Sequence, residues 1–138
     1  MVDTTRSIKE FNVPKVKEVL QQIIQRLDIS ENGTHVSLET FAFESKLHNT
    51  FANSSFYNKA SVLDLVSSTI NQLFKPTRLD LALKTAKYQM FADENGKRPG
   101  VRKALILFTD GRSHPGSVDE DFFLEVVGLQ VRRQVSEK

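Results

Sequence analysis
The sequence predicts an α/β fold in which helices cover both faces of a sheet, and three observations predict it. The run Lys103-Ala104-Leu105-Ile106-Leu107-Phe108 is apolar after its first residue and stops at Thr109-Asp110-Gly111. A strand apolar on both faces is one buried between helical layers, as in parallel sheets. Apolar residues also recur at helical spacing in segments that alternate with strand-like ones, the order from which such sheets are built. Finally, Gly111 lets the chain turn sharply, so Asp110 is expected at the carboxyl edge of the sheet, where open α/β folds bind ligands. The same Asp-Gly pair would also suit an ordinary turn.

One domain with one core fits 138 residues, and 39% apolar with 26% charged residues is the composition of a globular chain. The formal charge of +2 is small and the basic residues are scattered, with Arg132-Arg133 the one close arginine pair, so no nucleic-acid partner is expected. Without cysteine, disulfides and thiolate metal sites are excluded. No signal peptide and no run long enough to span a bilayer is visible, and no membrane insertion is expected. Asn32-Gly33-Thr34 and Asn53-Ser54-Ser55 would be glycosylation acceptors in a secreted parent protein.

Taken in order, Asp3, Thr5 and Ser7 alternate with Thr4 and Arg6. In extended backbone alternate side chains point the same way, so one carboxylate and two hydroxyls would converge. Oxygen-only donors suit magnesium, manganese or calcium rather than zinc. A solvated terminus, or one that caps the next helix, would carry the same residues. Val16, Val19, Leu20, Ile23, Ile24 and Leu27 form the apolar face of a helix that starts near Asn12 or Val13, with Pro14 in its first turn and Asn12 as a candidate cap. Ser30-Glu31-Asn32-Gly33 reads as a turn, and His35 to Phe43 as a strand carrying Val36, Leu38, Phe41 and Phe43. Glu39 inside that strand is expected to be exposed or paired, because an unpaired buried carboxylate is costly.

Lys46 to Phe51 is expected to return as a short hairpin strand and Asn53-Ser54-Ser55 to be loop. Lys59 to Leu73 reads as a helix with Val62, Leu63, Val66, Ile70 and Leu73 on its apolar side. Lys75-Pro76-Thr77-Arg78 breaks that pattern. The next helix runs from about Leu79 to Phe91 on Leu79, Leu83, Ala86, Met90 and Phe91, and Thr77 stands where its cap would. Asp93 to Gly100 is a polar surface loop leading into the central strand. After His114-Pro115-Gly116-Ser117, a last helix over about Asp119 to Val135 opens on carboxylates and closes on Arg132 and Arg133, the signs that helix ends favour. His35, His48 and His114 are scattered over strand and loop segments and are read as surface or loop residues rather than catalytic ones.

The order Asp-x-Thr-x-Ser, helix, strand, helix, loop threonine, helix, apolar strand and Asp-Gly resembles, over essentially the whole chain, the von Willebrand factor type A domain, which implies a doubly wound, mostly parallel sheet with helices on both faces, a fold related to the inserted domains of integrins. That family's metal-ion-dependent adhesion site is an Asp-x-Ser-x-Ser loop, one loop threonine and an aspartate before glycine. The resemblance implies Asp3, Thr5, Ser7, Thr77 and Asp110 as the metal ligands. Thr5 stands where serine is usual, which keeps the hydroxyl and adds a methyl; Arg6 stands where small residues are common; and Lys75-Pro76 replaces a more flexible approach to the threonine. A cation beside a cation site weakens it unless the side chain points away. Only Met1 and Val2 precede Asp3, and the chain stops at Lys138 where another strand is expected. The chain thus resembles a single type A domain over 1–138 that lacks most of the first strand and the C-terminal strands and helix. An exposed sheet edge in such a chain would favour self-association.

The resemblance implies a divalent-cation-dependent adhesion or protein-binding module, its cofactor Mg2+ (or Mn2+ or Ca2+). The partner would be an extracellular-matrix or cell-surface protein that contributes a Glu or Asp to the metal. The implied setting is extracellular or secreted, or the ectodomain of a larger protein. The alternative is a metal-independent structural or interaction domain of an extracellular-matrix-type protein. Metal-assisted hydrolysis would need a general base or nucleophile beside the cation, and none is evident, so no catalytic residue and no enzymatic activity is expected.

Overall fold
The sheet is organised around Val2–Asp3 (β1), which has a partner on each side. The computed structural model describes residues 1–70 and 77–110, apart from the side chain of Ser7. The expected last helix, the 114–117 loop with His114, and Leu73, Lys75, Pro76 and Gly111 lie outside the described residues. On one side β1 pairs parallel with Glu39–Phe41 (β2), Val2 opposite Thr40 and Asp3 opposite Phe41. β2 in turn pairs antiparallel with Ser45–Leu47 (β3), Glu39 opposite Leu47 and Phe41 opposite Ser45. On the other side the Asp3 N–H donates to the Phe108 carbonyl (2.8 Å) and the Phe108 N–H to the Met1 carbonyl (3.0 Å), a parallel bridge. Parallel pairing at the centre with an antiparallel β3 outermost in the described order is the mostly parallel sheet that was expected.

Alternate residues of these strands face opposite layers. Val2 and Leu38 pack with Ile24 of Val13–Gln25 (α1) and with Val62 and Val66 of Lys59–Thr69 (α2). Met1 and Phe41 pack on the other face with Ala82 and Leu83 of Leu79–Thr85 (α3) and with Ala86 and Met90 just beyond it. Leu105 and Leu107 join the second core and Phe108 the first. Helices therefore cover both faces, as in a doubly wound fold.

The 103–110 run departs from the expectation of a strand buried on both faces. Lys103 and Ala104 are exposed, Ile106 is 48% exposed, and the sheet bridge is at Phe108. The cause is pairing: among the described residues its neighbour is β1, whose contact begins where the Met1 nitrogen donates to the Ile106 carbonyl (2.8 Å). The strand expected over His35 to Phe43 likewise contracts to β2. Upstream of it the side chain of Asn49 stands in for a neighbouring strand, accepting the Leu38 N–H at Oδ1 (2.8 Å) and donating from Nδ2 to the Val36 carbonyl (2.8 Å). The hairpin return covers Ser45–Leu47 rather than Lys46 to Phe51, and Phe43, at the turn, is exposed.

The helices follow their apolar periods. Pro14 sits in the first turn of α1 as expected, but Asn12 does not cap it; its Nδ2 donates to the Ile8 carbonyl (2.9 Å). Val19 is exposed, so the packed face of α1 is Val13, Val16, Leu20 and Ile24, continuing to Leu27. α2 is capped by Asn58, whose Oδ1 accepts the Ser61 N–H (2.9 Å). α3 continues through a widened turn over Ala86–Met90, in which the Phe91 N–H reaches the Ala86 carbonyl (3.0 Å), and so fills the expected span from Leu79 to Phe91. Among the described residues no helix is long and apolar enough to cross a membrane.

Candidate functional site
β1 delivers Asp3 to the carboxyl end of the sheet, and Thr4 carries the pairing one residue further. Its N–H and its hydroxyl both donate to the Phe41 carbonyl, at 2.9 and 3.1 Å. The chain then turns over the sheet edge, the Ile8 N–H donating to the Thr5 carbonyl (3.1 Å), so the backbone of Ser7 lies in the single helical turn Arg6–Ile8. The extended alternation expected to align Asp3, Thr5 and Ser7 thus holds for the first two and ends there. Side chains of a helical turn do not repeat at every second residue, so the alternation stops with Thr5.

Thr77 comes from the loop before α3, and that loop is pinned from its next residue. The Arg78 N–H donates to the Ala42 carbonyl (2.8 Å), just past β2. Its guanidinium forks onto Asp80, Nε to Oδ1 at 2.8 Å and Nη2 to Oδ2 at 2.7 Å, and these bonds hold the Asp80 carboxyl below the usual range. Thr77 does not cap α3; Arg78 occupies that position, and its side chain makes no capping bond to the helix backbone. The Thr77 hydroxyl instead donates to the Thr5 Oγ1 (3.0 Å).

These side chains meet at Asp3. Its Oδ1 accepts the Thr5 N–H (2.9 Å) and the Thr5 hydroxyl (2.7 Å), and its Oδ2 accepts the Thr109 hydroxyl (3.0 Å). A line of hydrogen bonds therefore runs from Thr77 through Thr5 to Asp3, with Thr109 closing on the other carboxylate oxygen. Asp3 is 2% exposed and Thr5 and Thr77 are buried. Burial pushes the Asp3 carboxyl up, the bonds from Thr5 and Thr109 pull it down, and the charge of Asp110 pushes it up again. Asp110 itself is exposed at the end of the 103–110 run, near enough to Asp3 for its charge to be felt.

Of the residues singled out in the sequence, the structure joins Asp3, Thr5 and Thr77 directly and ends the 103–110 run with Asp110 at the same edge of the sheet. The side chain of Ser7 lies outside the described residues. Thr109 was missed, and its only signal was its place between the apolar run and Asp110. The donor set is oxygen throughout, and among the described residues no three His, Cys, Asp or Glu side chains converge, so any cation here leans on hydroxyls. Such a set fits a hard divalent ion, whose charge would offset the penalty that burial and Asp110 place on an ionised Asp3.

The other polar groups stand apart from this site. The His35 ring stacks on Tyr57 (centroids 4.0 Å apart), and its Nε2 bonds with the Glu31 carbonyl (2.9 Å). His48 Nε2 lies 2.7 Å from the Thr40 hydroxyl, and burial, then Lys46, holds its imidazole below the ordinary range. Both are half-buried and lie in loop segments, one of the two settings expected for them. Glu39, expected to be exposed or paired, is 0% exposed. Its Oε1 accepts the Ser45 hydroxyl (2.6 Å), while Oε2 has no partner among the described residues. Burial pushes its carboxyl up to about 7, against the pull of the Ser45 bond and of the Met1 ammonium.

Residues 1–127 match the family model of the von Willebrand factor type A domain. Matrilin-1 of Gallus gallus is 31% identical over 134 residues, covering 95% of this chain and 27% of the relative. Matrilin-1 of Homo sapiens is 34% identical over 134 residues, covering 95% and 26%. The chain thus spans about a quarter of the length of these relatives. Among solved structures, proximal thread matrix protein 1 from the mussel byssus superposes with a TM-score of 0.73 at 20% identity, over 83% of this chain and 31% of that one. Another structure of the same protein, with a zinc-occupied MIDAS motif, gives a TM-score of 0.71 at 18% identity over 83% and 31%. At these identities the likeness to the solved structures is one of fold.

Proposed function
The chain belongs to the von Willebrand factor type A domain family, and from that premise we propose that it is a divalent-cation-dependent protein-binding module acting outside the cell. One observation carries the reading: Thr77, Thr5 and Asp3 share a line of hydrogen bonds at the carboxyl end of the sheet, the edge at which the parallel 103–110 run ends in Asp110. Asp3, Thr5, Ser7, Thr77 and Asp110 are the proposed ligands, and Mg2+, Mn2+ or Ca2+ the ion that such oxygens favour. When bound, the cation supplies an electrophilic position for a Glu or Asp of the partner. Asp3 and Asp110 provide the negative charge, Asp3 orients the Thr5 hydroxyl, and Thr5 in turn holds the hydroxyl of Thr77. The Arg78–Asp80 pair keeps Thr77 within reach. Likeness to the matrilins and to a byssal matrix protein supports an extracellular-matrix setting and a matrix or cell-surface partner. No residue is assigned a catalytic role.

A second reading has its own observation. Both oxygens of Asp3 already accept hydroxyl protons, so the site is internally satisfied and would also serve a metal-independent interaction domain. Calorimetric titration of Mg2+ and Mn2+ into the chain and into Asp110→Ala separates the two. The cation reading expects binding that weakens at least about tenfold in the variant, about 1.4 kcal/mol. Equal titrations would sink it, and capture of matrix proteins that survives chelation would then support the second reading.

A further inference from the structure
We propose that Asn32 and Asn53 are acceptors of N-linked oligosaccharide, both placed at the end of the sheet opposite the candidate metal site. The proposal rests on the extracellular setting read above. Each asparagine begins an Asn-x-Thr or Asn-x-Ser triplet without proline, Asn32-Gly33-Thr34 and Asn53-Ser54-Ser55. A bulky glycan on Nδ2 has to project into solvent from the folded chain, which a nitrogen without an internal hydrogen bond allows. Asn12, Asn49, Asn58 and Asn95 each donate from Nδ2 to a backbone carbonyl, those of Ile8, Val36, Ser55 and Gln89 at 2.9, 2.8, 3.1 and 2.8 Å. Asn32 and Asn53 are the described asparagines whose Nδ2 makes no hydrogen bond among the described residues. Asn53 uses only its oxygen, which accepts the Ser55 N–H (3.1 Å). Both asparagines are exposed, as are Thr34 and Ser55, whose hydroxyls complete the triplets.

The two turns are also built to hold these positions at the surface. The Gly33 N–H donates to the Ser30 carbonyl (3.2 Å) and the Thr34 N–H to the Asp28 carbonyl (2.7 Å). A Cβ at Gly33 would stand 2.5 Å from the Asp28 oxygen, so glycine is required between Asn32 and Thr34. Arg98 Nη2 donates to the Gly33 carbonyl (2.6 Å) and ties this turn to the loop before the 103–110 run. The Asn32 turn precedes β2, whereas Asn53 follows β3, which runs antiparallel to β2 and returns the chain to the same end. The extended run from Val36 to Phe41 separates that end from the site by about 17 Å. Glycans here would cover the far pole and leave the carboxyl edge open to a protein partner.

The donor would be an oligosaccharide linked to a lipid pyrophosphate. The Asn Nδ2 forms a bond to the anomeric carbon, the bond from that carbon to the phosphate oxygen breaks, the pyrophosphate leaves with the electron pair, and the amide proton passes to the transferase. To test it, the full chain is directed into the secretory pathway of a eukaryotic cell by an added leader, with a validated acceptor triplet fused at the C-terminus as an internal control. Intact mass is read before and after peptide N-glycosidase. The expected result is a glycan mass increment on each of Asn32 and Asn53, each lost singly in Asn32→Gln and Asn53→Gln. Thr34→Ala and Ser55→Ala repeat the losses without touching the acceptors. Unmodified Asn32 and Asn53 beside an occupied control triplet would overturn the proposal, and modification of one alone would overturn it for the other. Because the leader is supplied, a negative result counts against the glycans and leaves the extracellular reading to be judged by where the natural protein is found.

Discussion
A carboxylate buried as deeply as Asp3 needs hydrogen bonds on both oxygens, and half of that work falls to Thr109. Thr109→Val removes the hydroxyl while keeping the shape of the side chain. Loss of a hydrogen bond to a charged group costs about 1.5 to 3 kcal/mol, so the affinity for Mg2+ is expected to fall about tenfold or more in a calorimetric titration, with Thr109→Ser restoring it. Unchanged Mg2+ affinity in the valine variant would show that Thr109 does not position Asp3. Asp3, Thr5, Ser7, Thr77 and Asp110 were singled out in the sequence through the family resemblance, which matches an oxygen side chain at each of these positions. Thr109 was not, because a hydroxyl at the end of an apolar run serves equally well as a strand residue. The Thr77 hydroxyl could be assigned to helix or to site only once the Arg78–Asp80 fork was seen to occupy the helix start.

The hairpin of β2 and β3 carries the other buried carboxylate among the described residues, and with it a dependence on pH. Glu39 is held near 7 chiefly by burial, above the ordinary value of 4.5, so the folded chain binds its proton more tightly than the unfolded chain does. The stability contributed by protonated Glu39 is therefore fully present below about 4.5 and is lost as pH rises towards 7. The loss amounts to at most about 3 kcal/mol. The Met1 ammonium, which faces Glu39 and is held down to about 6 by burial, works in the opposite sense between 6 and its ordinary 8. Subtracting the denaturation profile of Glu39→Gln from that of the parent isolates the Glu39 part. A difference that stays flat from pH 4.5 to 7 would refute it. Helices were legible at this scale because their apolar faces repeat over several turns, as in α1 and α3. Strand lengths were not, since the boundary of β2 is set by Asn49, whose side chain takes the place of backbone far along the chain.

At the scale of the whole molecule, the sheet and the candidate site are one structure, because the strand between the two cores is the strand that ends in Asp3. A cation bound only by the folded form raises its stability by about 2.7 kcal/mol when present at a hundred times its dissociation constant. Thermal unfolding in Mg2+ and then in chelator is expected to show that upward shift, and a midpoint indifferent to Mg2+ would argue for the metal-independent domain. The doubly wound architecture was legible through the family resemblance, to which the apolar periods contributed the order of helices and strands. The exposure of Ile106 was not, because apolar character alone cannot say which stretches of a strand have neighbours. The two-sided pairing of β1 gives adjacent peptide groups different attachments. The amide proton of Asp3 is held by Phe108 and that of Thr4 by Phe41. In deuterated solvent these neighbouring protons are separate clocks, the first timing the opening of the seam to the 103–110 run and the second the opening of the seam to β2.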